Sequence, residues 1–372
     1  MPQGRVTTYD LTVGVPVDIS TMIGQLDPFD TPLLGTYGAD GRSTLAHGSC
    51  QQKKIEWLDD TLLTPRGTVA EAIDAGETAW TIATADANKW GVGDVILVDA
   101  EYIRVTAVDS TGLVLTVTRG YNSSSDASHS DGATMVGVGL ALAEGSDPEA
   151  FRSVDRTARS NYTQIFGPHK VSMSGTEIVI PKYGVANEWD YQVAKKVKEV
   201  AVSKEQALLY GKVQEDTSGE IRTMGGLIDF ITTNVDSSTT TITEAKWLDQ
   251  MQAVFSAGGS VDRLVVSPKA KRVISAFVAG ITVNANLSDR RRGQVIEVLQ
   301  SDFGQTSILL NRWCRTADVF GFSRDQATVK TLRPLQIERL AKTGDAEQCQ
   351  ILSESTLQFE RQKHAFRFSA LT

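Results

Sequence analysis

The stretch Asn187–Gly211, NEWDYQVAKKVKEVAVSKEQALLYG, constrains the fold more than any other part of the chain. No Gly or Pro interrupts it. Asn187 suits an N-cap, and Asp190 three residues on makes a weak capping box. Gly211 suits the C′ position, where a left-handed backbone costs glycine little. A helix of about 23 residues at 1.5 Å each is a rod of roughly 35 Å, long for a globular protein.

The faces of this rod differ. At 100° per residue, Trp189, Val193, Ala194, Val197, Val200, Ala201, Ala207 and Leu208 share one broad apolar face. Tyr191, Val202 and Leu209 form a narrower second stripe, and Lys195, Lys196, Glu199 and Gln206 fill the polar side. A rod with two stripes is contacted from two sides. It is either a central helix of an α+β domain, or a spine with sheet on one flank and a neighbouring element or subunit on the other. Trp189, Val193, Val197, Val200 and Leu208 are expected as its core residues. Lys204 falls inside the broad stripe, where it either snorkels to solvent or meets a carboxylate.

The 372 residues allow two or three domains. A formal net charge of −8 argues against a chain whose task is gripping nucleic acid, because phosphate neutralisation needs a basic surface. It is compatible with a wall that only faces nucleic acid. Cys50, Cys314 and Cys349 show no metal-ligand or redox spacing and read as reduced, buried small residues. The N-terminal MPQGRVTTYD lacks the apolar core of a signal peptide, and no run approaches the roughly 20 apolar residues of a bilayer span. Synthesis in the cytosol is therefore expected.

Residues 1–48 look extended. Ile19, Ile23, Leu26, Phe29, Leu33 and Leu34 are too apolar for a solvated tail, so this segment reads as an arm laid across another surface. QKKIEWLDD (Gln52–Asp60) reads as a strand. From about Arg66 to Gly145 the chain is all β in character, with hairpin signals at Asp99-Ala100 and Asp109–Gly112. This reads as an inserted sandwich or barrel, since strand character resumes in Asn161–Pro181. Further on, Thr243 caps a helix, DRLVVS reads as a buried strand, and Ser267-Pro268 opens another helix. Short strands fill the remainder. In ILSESTLQF the alternation has the period two of an antiparallel strand.

No catalytic signature is present: no G-x-S-x-G, H-E-x-x-H, Walker A or C-x-x-C. Gly91-Val-Gly93 and Gly137-Val-Gly139 lack the third glycine and the helix of a dinucleotide loop, and read as hairpin or bulge glycines. His47, His129, His169 and His364 are dispersed, so no metal site and no cofactor are expected. Arg290-Arg291-Arg292 is the one strong basic cluster. It reads as a solvated loop, an intersubunit ion-pair site, or least readily a nucleic-acid contact. A chain with an arm, a rod, many strands and no active site points to a structural protein.

Several phrases together resemble a known family. They are DPFDTPLL (Asp27–Leu34), ANEWDYQVAKKVKEVAVSKEQALLYGK, RTMGGLIDFITTN, SDFGQTSILLNRW (Ser301–Trp313) and LRPLQIERLAKTGDAEQCQILSESTLQ (Leu332–Gln358). In this order they are similar to the major capsid proteins of tailed bacteriophages, in the group typified by a podovirus of enteric bacteria. The resemblance covers nearly all of the chain outside the β insert.

It implies the α+β tailed-phage capsid fold. On that pattern residues 1–48 are the N-terminal arm, and 49–65 with 146–181 are extended-loop strands interrupted by the inserted β domain 66–145. Residues 182–224 and 331–372 form the peripheral domain with the spine helix, and 225–330 form the axial domain. The implied function is self-assembly into hexamers and pentamers of an icosahedral head in the host cytoplasm. The implied partners are copies of the chain, a separate scaffolding protein, a portal, a possible cement protein, and packaged DNA that is faced but not specifically bound. The rival readings are a bacterial compartment shell, a virion receptor- or glycan-binding protein that uses the insert, and an enzyme with a dispersed site.

Overall fold

The structure is a computed structural model and describes residues 30–35, 45–147, 152, 156–182, 185, 187–216, 218, 220–277, 298–342 and 344–372. The chain divides into two compact units, residues 1–57 with 160–372, and residues 58–159.

In chain order, β1 (Ala46–Ser49) and β2 (Lys54–Asp59) come first. The six strands of the second unit follow: β3 (Arg66–Thr68), β4 (Ala79–Thr81), β5 (Asp94–Val98), β6 (Glu101–Val108), β7 (Val114–Thr118) and β8 (Thr134–Leu140). β9 (Thr157–Tyr162) pairs with β2, and β10 (Gln164–Ser174) leads into the short α1 (Gly175–Val179) and the rod α2 (Glu188–Tyr210). After it come β11 (Gln214–Glu215), β12 (Arg222–Thr223), α3 (Leu227–Phe230), β13 (Val235–Asp236), α4 (Glu244–Ser256), β14 (Arg263–Val266) and α5 (Pro268–Phe277). The last strands are β15 (Val298–Ser301), β16 (Gly304–Leu310), β17 (Val319–Phe322), β18 (Ala327–Arg339), β19 (Ala346–Phe359) and β20 (Phe366–Phe368).

Among the described residues the first unit holds two larger sheets and the short antiparallel pair β11-β12. One has the order β1-β18-β19-β10, with β1 parallel to β18 and the other pairs antiparallel. α2 packs on this sheet through Val200, Leu208 and Leu209, which share a core with Phe166, Ile351, Leu357 and Phe359. The other sheet has the order β13-β20-β17-β14-β16-β15. In β14, Leu264 and Val266 face α4 and α5, while Val265 faces the α2 core, so the strand is buried on both sides.

α2 has the bounds its sequence marks. The Asn187 side chain accepts from the backbone N–H groups of Trp189 and Asp190, filling donors that a helix start leaves open. The end differs from the expected left-handed cap. Gly211 has φ −56° and ψ 149°, and glycine is required there by crowding. A Cβ at this position would lie 2.4 Å from the Met224 carbonyl oxygen and 2.6 Å from that of Ala207.

The faces of α2 also need correction. Val200, Leu208 and Leu209 are buried, whereas Trp189, Val193 and Val197 are only half-buried and Ala194 is exposed. Leu209, assigned by sequence to the narrow stripe, is as buried as the broad face, because the last turns run between the two sheets' cores. Gly175–Val179, expected as strand, is a helical turn. The Ser174 hydroxyl accepts from the Glu177 N–H and sets a helix start despite the β-branched residues that follow. β19 is buried from Ile351 through Leu357, so its period-two pattern does not mark a solvent face. Cys50 is half-buried; Cys314 and Cys349 are buried, and all three are free thiols.

The second unit is a six-stranded sheet in the order β3-β8-β5-β6-β7-β4 around Trp80, Ile96, Ile103, Val105 and Leu115. Asp99-Ala100 makes the two-residue turn between β5 and β6, and Asp109–Gly112 lies between β6 and β7. The Asp109 carboxylate accepts from the N–H groups of Thr111, Leu113 and Val114, which closes that turn. Val95 faces Gly139 and Ile96 faces Gly137, so Val138 is the extra residue of a β-bulge. A Cβ on Gly137 would meet Pro65 at 2.8 Å. The unit extends beyond the expected 66–145 on both sides. Pro65 accepts from Gly137 N–H, and Arg152 pairs with Asp94 at 2.9 Å.

Glu101, Arg119 and His129 staple this unit from inside. Glu101 and His129 are buried, and Arg119 is nearly so. Arg119 donates to both oxygens of Glu101, at 3.0 and 2.6 Å, and its guanidinium lies 5.2 Å from the Trp80 ring. Burial pushes the Glu101 carboxyl up. Hydrogen bonds from Arg119, His129 and the Ala127 and Gly120 N–H groups outweigh it and hold the group at about 2.

Candidate functional site

The polar chemistry of the first unit gathers where α2 meets the start of the described chain. Thr31–Gly35 makes a single turn, with Gly35 N–H donating to the Thr31 carbonyl at 3.0 Å. Leu33 and Leu34 enter the α2 core. Two backbone N–H groups on such a turn would be buried without partners, and Glu205 of α2 supplies the acceptors. Leu33 N–H donates to Oε1 at 2.8 Å and Leu34 N–H to Oε2 at 3.1 Å. Asn311 Nδ2 donates to Oε1 at 2.6 Å. Glu205 is fully buried. Burial raises its carboxyl to about 7; the three donors pull the other way, and the nearby Asp30 charge adds to the rise.

The segment after β16 completes the latch. Asn311 Oδ1 accepts from Trp313 N–H at 2.8 Å, which fixes the amide that faces Glu205. Trp313 Nε1 donates to the Asp30 carbonyl at 2.8 Å, and Arg312 pairs with the Asp30 carboxylate at 3.0 Å. That ion pair is exposed and contributes below about 1 kcal/mol. Beside it, Tyr210 closes the last turn of α2: its hydroxyl accepts from Arg315 N–H at 2.6 Å, and the Arg315 guanidinium lies 4.6 Å from its ring. Burial drives the Cys314 thiol up to about 12, so it is inert.

A second buried carboxylate joins the sheet to the segment after α2. Glu354 of β19 accepts from Thr163 Oγ1 at 2.6 Å, from Arg222 at 2.6 Å and from Arg333 at 2.8 Å. Burial raises its carboxyl, but these donors win and hold it below the usual range. Asn161, fully buried, bridges the Gly225 and Leu357 carbonyls at 3.1 and 2.6 Å. These groups fix backbone. Among the described residues no His, Cys, Asp and Glu side chains gather as a metal site.

Of the residues singled out from sequence, Val200 and Leu208 lie in the α2 core, with Trp189, Val193 and Val197 packed at its edge. Arg290, Arg291 and Arg292 lie outside the described residues, as do 1–29 and 36–44 of the expected arm. Among the described residues Lys204 pairs with no carboxylate; its ammonium lies 5.8 Å from the Phe166 ring. Glu205, Asn311, Trp313 and Glu354 were not foreseen. Their partners are 100 or more residues away, apart from the Asn311–Trp313 and Glu354–Arg333 contacts. The family-like phrases carrying Leu33-Leu34, Glu205 and Asn311-Arg-Trp313 were the only signal that could have joined them.

A long helix crossing one sheet, a second sheet sharing its core, and the Thr31–Gly35 turn latched to the helix make up a mixed α+β fold. The same fold is found in a chain of Microbacterium phage Oxtober96, at 10% identity with 99% of both chains covered and a TM-score of 0.52. It is found in the capsid of the native GTA particle, at 9% identity with 100% of both chains covered and a TM-score of 0.53. The capsid of Myoviridae phage XM1 shares it at 9% identity, covering 99% of this chain and 100% of that one, with a TM-score of 0.51. No curated protein matches the chain. The model of the SU10 major capsid protein family matches residues 2–372, and the chain belongs to that family. It is a major capsid protein of tailed phages, a virion component and not an enzyme.

Proposed function

We propose that the chain forms hexamers and pentamers that close into an icosahedral head around phage DNA, assembled in the host cytoplasm. The match of one capsid family over residues 2–372 carries this reading. In it, residues 1–48 are the arm, 49–65 and 146–181 the extended loop, 182–224 and 331–372 the peripheral domain, and 225–330 the axial domain. The inserted β domain, expected at 66–145 and contained in the compact unit 58–159, stands at the outer surface or at contacts between capsomers, where a module in a long loop avoids the packed wall. A separate scaffolding protein, a portal and a cement protein are the proposed partners.

In the same reading Arg290, Arg291 and Arg292 approach the capsomer centre. Several copies of this cluster repel unless carboxylates interleave. At about 8 Å each unscreened pair of charges costs roughly 2 kcal/mol at an effective dielectric of 20. At least one of these arginines therefore pairs with a carboxylate of the adjacent subunit, through a bidentate contact that Lys does not reproduce. Native mass spectrometry of the purified protein tests the reading. Pentamers and hexamers support it, and their loss in the triple change of Arg290, Arg291 and Arg292 to Ala, with the fold retained, supports the pairing. A wild-type chain that stays monomeric at all concentrations refutes the assembly; a triple variant that assembles normally refutes the pairing.

A further inference from the structure

Lys204 stands alone as a charge within the apolar stripe of α2. It lines a recess of about 190 Å³ together with Val197, Val200 and Ala201 of its own helix. The groups facing it from the other elements are Leu34 of the arm, His47 of β1, Val329 and Leu335 of β18 and Ser355 of β19, with the Phe166 ring of β10 under the ammonium. None is a carboxylate. Among the described residues no acidic group forms an ion pair with Lys204. Burial alone accounts for the drop of its amine to about 8.

An ammonium held against apolar walls is unfavourable unless something compensates it. Among the described residues nothing does so, although acidic residues outnumber basic ones in the chain, 45 to 37. The recess is rimmed by the exposed His47 and Leu335, so it is reachable from outside. Its volume suits one side chain and not a helix or a strand. We propose that a second copy of this chain inserts an Asp or Glu side chain into this recess against Lys204 when subunits assemble. Charge complementarity selects the occupant: an apolar side chain would cover the ammonium without compensating it, and a basic one would repel it. The inference rests on the self-assembly reading. It places one intersubunit contact on the spine helix, beside the point where the arm is latched.

Competitive labelling with acetic anhydride, read at Lys204 by mass spectrometry across pH, tests this on the free chain and on assembled particles. In the free chain the amine titrates near 8. On assembly the midpoint rises to or above the ordinary 10.5, because a carboxylate stabilises the charged form. A midpoint that stays put or falls in particles overturns the inference alone, since solvent or an apolar cover then faces the amine. Failure of the wild-type chain to form any particle overturns the assembly reading together with it. As a second arm, Lys204→Met leaves the melting temperature of the free chain unchanged or higher and raises by about tenfold the concentration needed for assembly. Normal assembly of this variant counts against the contact.

Discussion

Replacing Glu205 by Ala removes the acceptor for three donors: the N–H groups of Leu33 and Leu34 and the side-chain amide of Asn311. All three are buried at the contact, and a buried donor left without a partner costs about 1–3 kcal/mol. The floor is therefore about 3 kcal/mol, a large fraction of a typical folding free energy. The loss falls first on the Thr31–Gly35 turn, which is held by these bonds and by Leu33 and Leu34 in the core. Hydrogen exchange at the Leu33 and Leu34 amides reads it directly, and protection there falls about a hundredfold or more if the turn opens at that cost. The pH dependence has a defined direction. The folded-state carboxyl is raised from 4.5 to about 7, so its contribution is complete below 4.5 and is lost as the pH rises through 7. Between pH 4 and pH 8 the loss is roughly 3 kcal/mol for a single group. Glu205→Gln does not titrate and removes this slope. Unchanged protection of both amides in Glu205→Ala, or a wild-type latch that tightens between pH 5 and 8, refutes the account.

Other consequences follow from the same contacts. Glu101 is held at about 2, so its contribution to the second unit is present above 4.5 and lost as the pH falls toward 2; hydrogen exchange across β6 should accelerate in that window, and Glu101→Gln should weaken β6 already at neutral pH. Gly211→Ala places a methyl 2.4 Å from the Met224 carbonyl oxygen and should cost more than about 2 kcal/mol, seen as a lowered melting temperature; an unchanged midpoint would mean that the turn has room to move. Leu208→Ala should cost about 2–5 kcal/mol, because the side chain is fully buried. Val197→Asp should cost less, since Val197 is half-buried and lines the recess that holds Lys204; the reverse order in denaturant titrations would sink this ranking.

What could be read from sequence was what local chemistry decides. The bounds of α2 follow from a cap at Asn187, a Gly at 211 and no breaker between them. The turns at Asp99-Ala100 and Asp109–Gly112 follow from residues that tolerate or close tight backbone. The rest depends on distant partners. A glutamate within a helix of mixed charge looks solvated, and the Leu33 and Leu34 amides and Asn311 make Glu205 a core residue. The alternation in β19 marked an antiparallel strand, but not that Arg222 and Arg333 would pair with Glu354 on it. Ser174 made a helical turn out of a run that looks like strand. Lys204 had two foreseen outcomes, solvent or a carboxylate, and among the described residues its ammonium lies over an aromatic face instead.

Electron microscopy of the purified protein separates assembling chains from monomers. Closed shells, or rings of five and six subunits, are expected, with α2 and the Glu205 latch visible in each copy once averaged to side-chain detail. Single 40.3 kDa chains at every concentration and salt condition would contradict self-assembly.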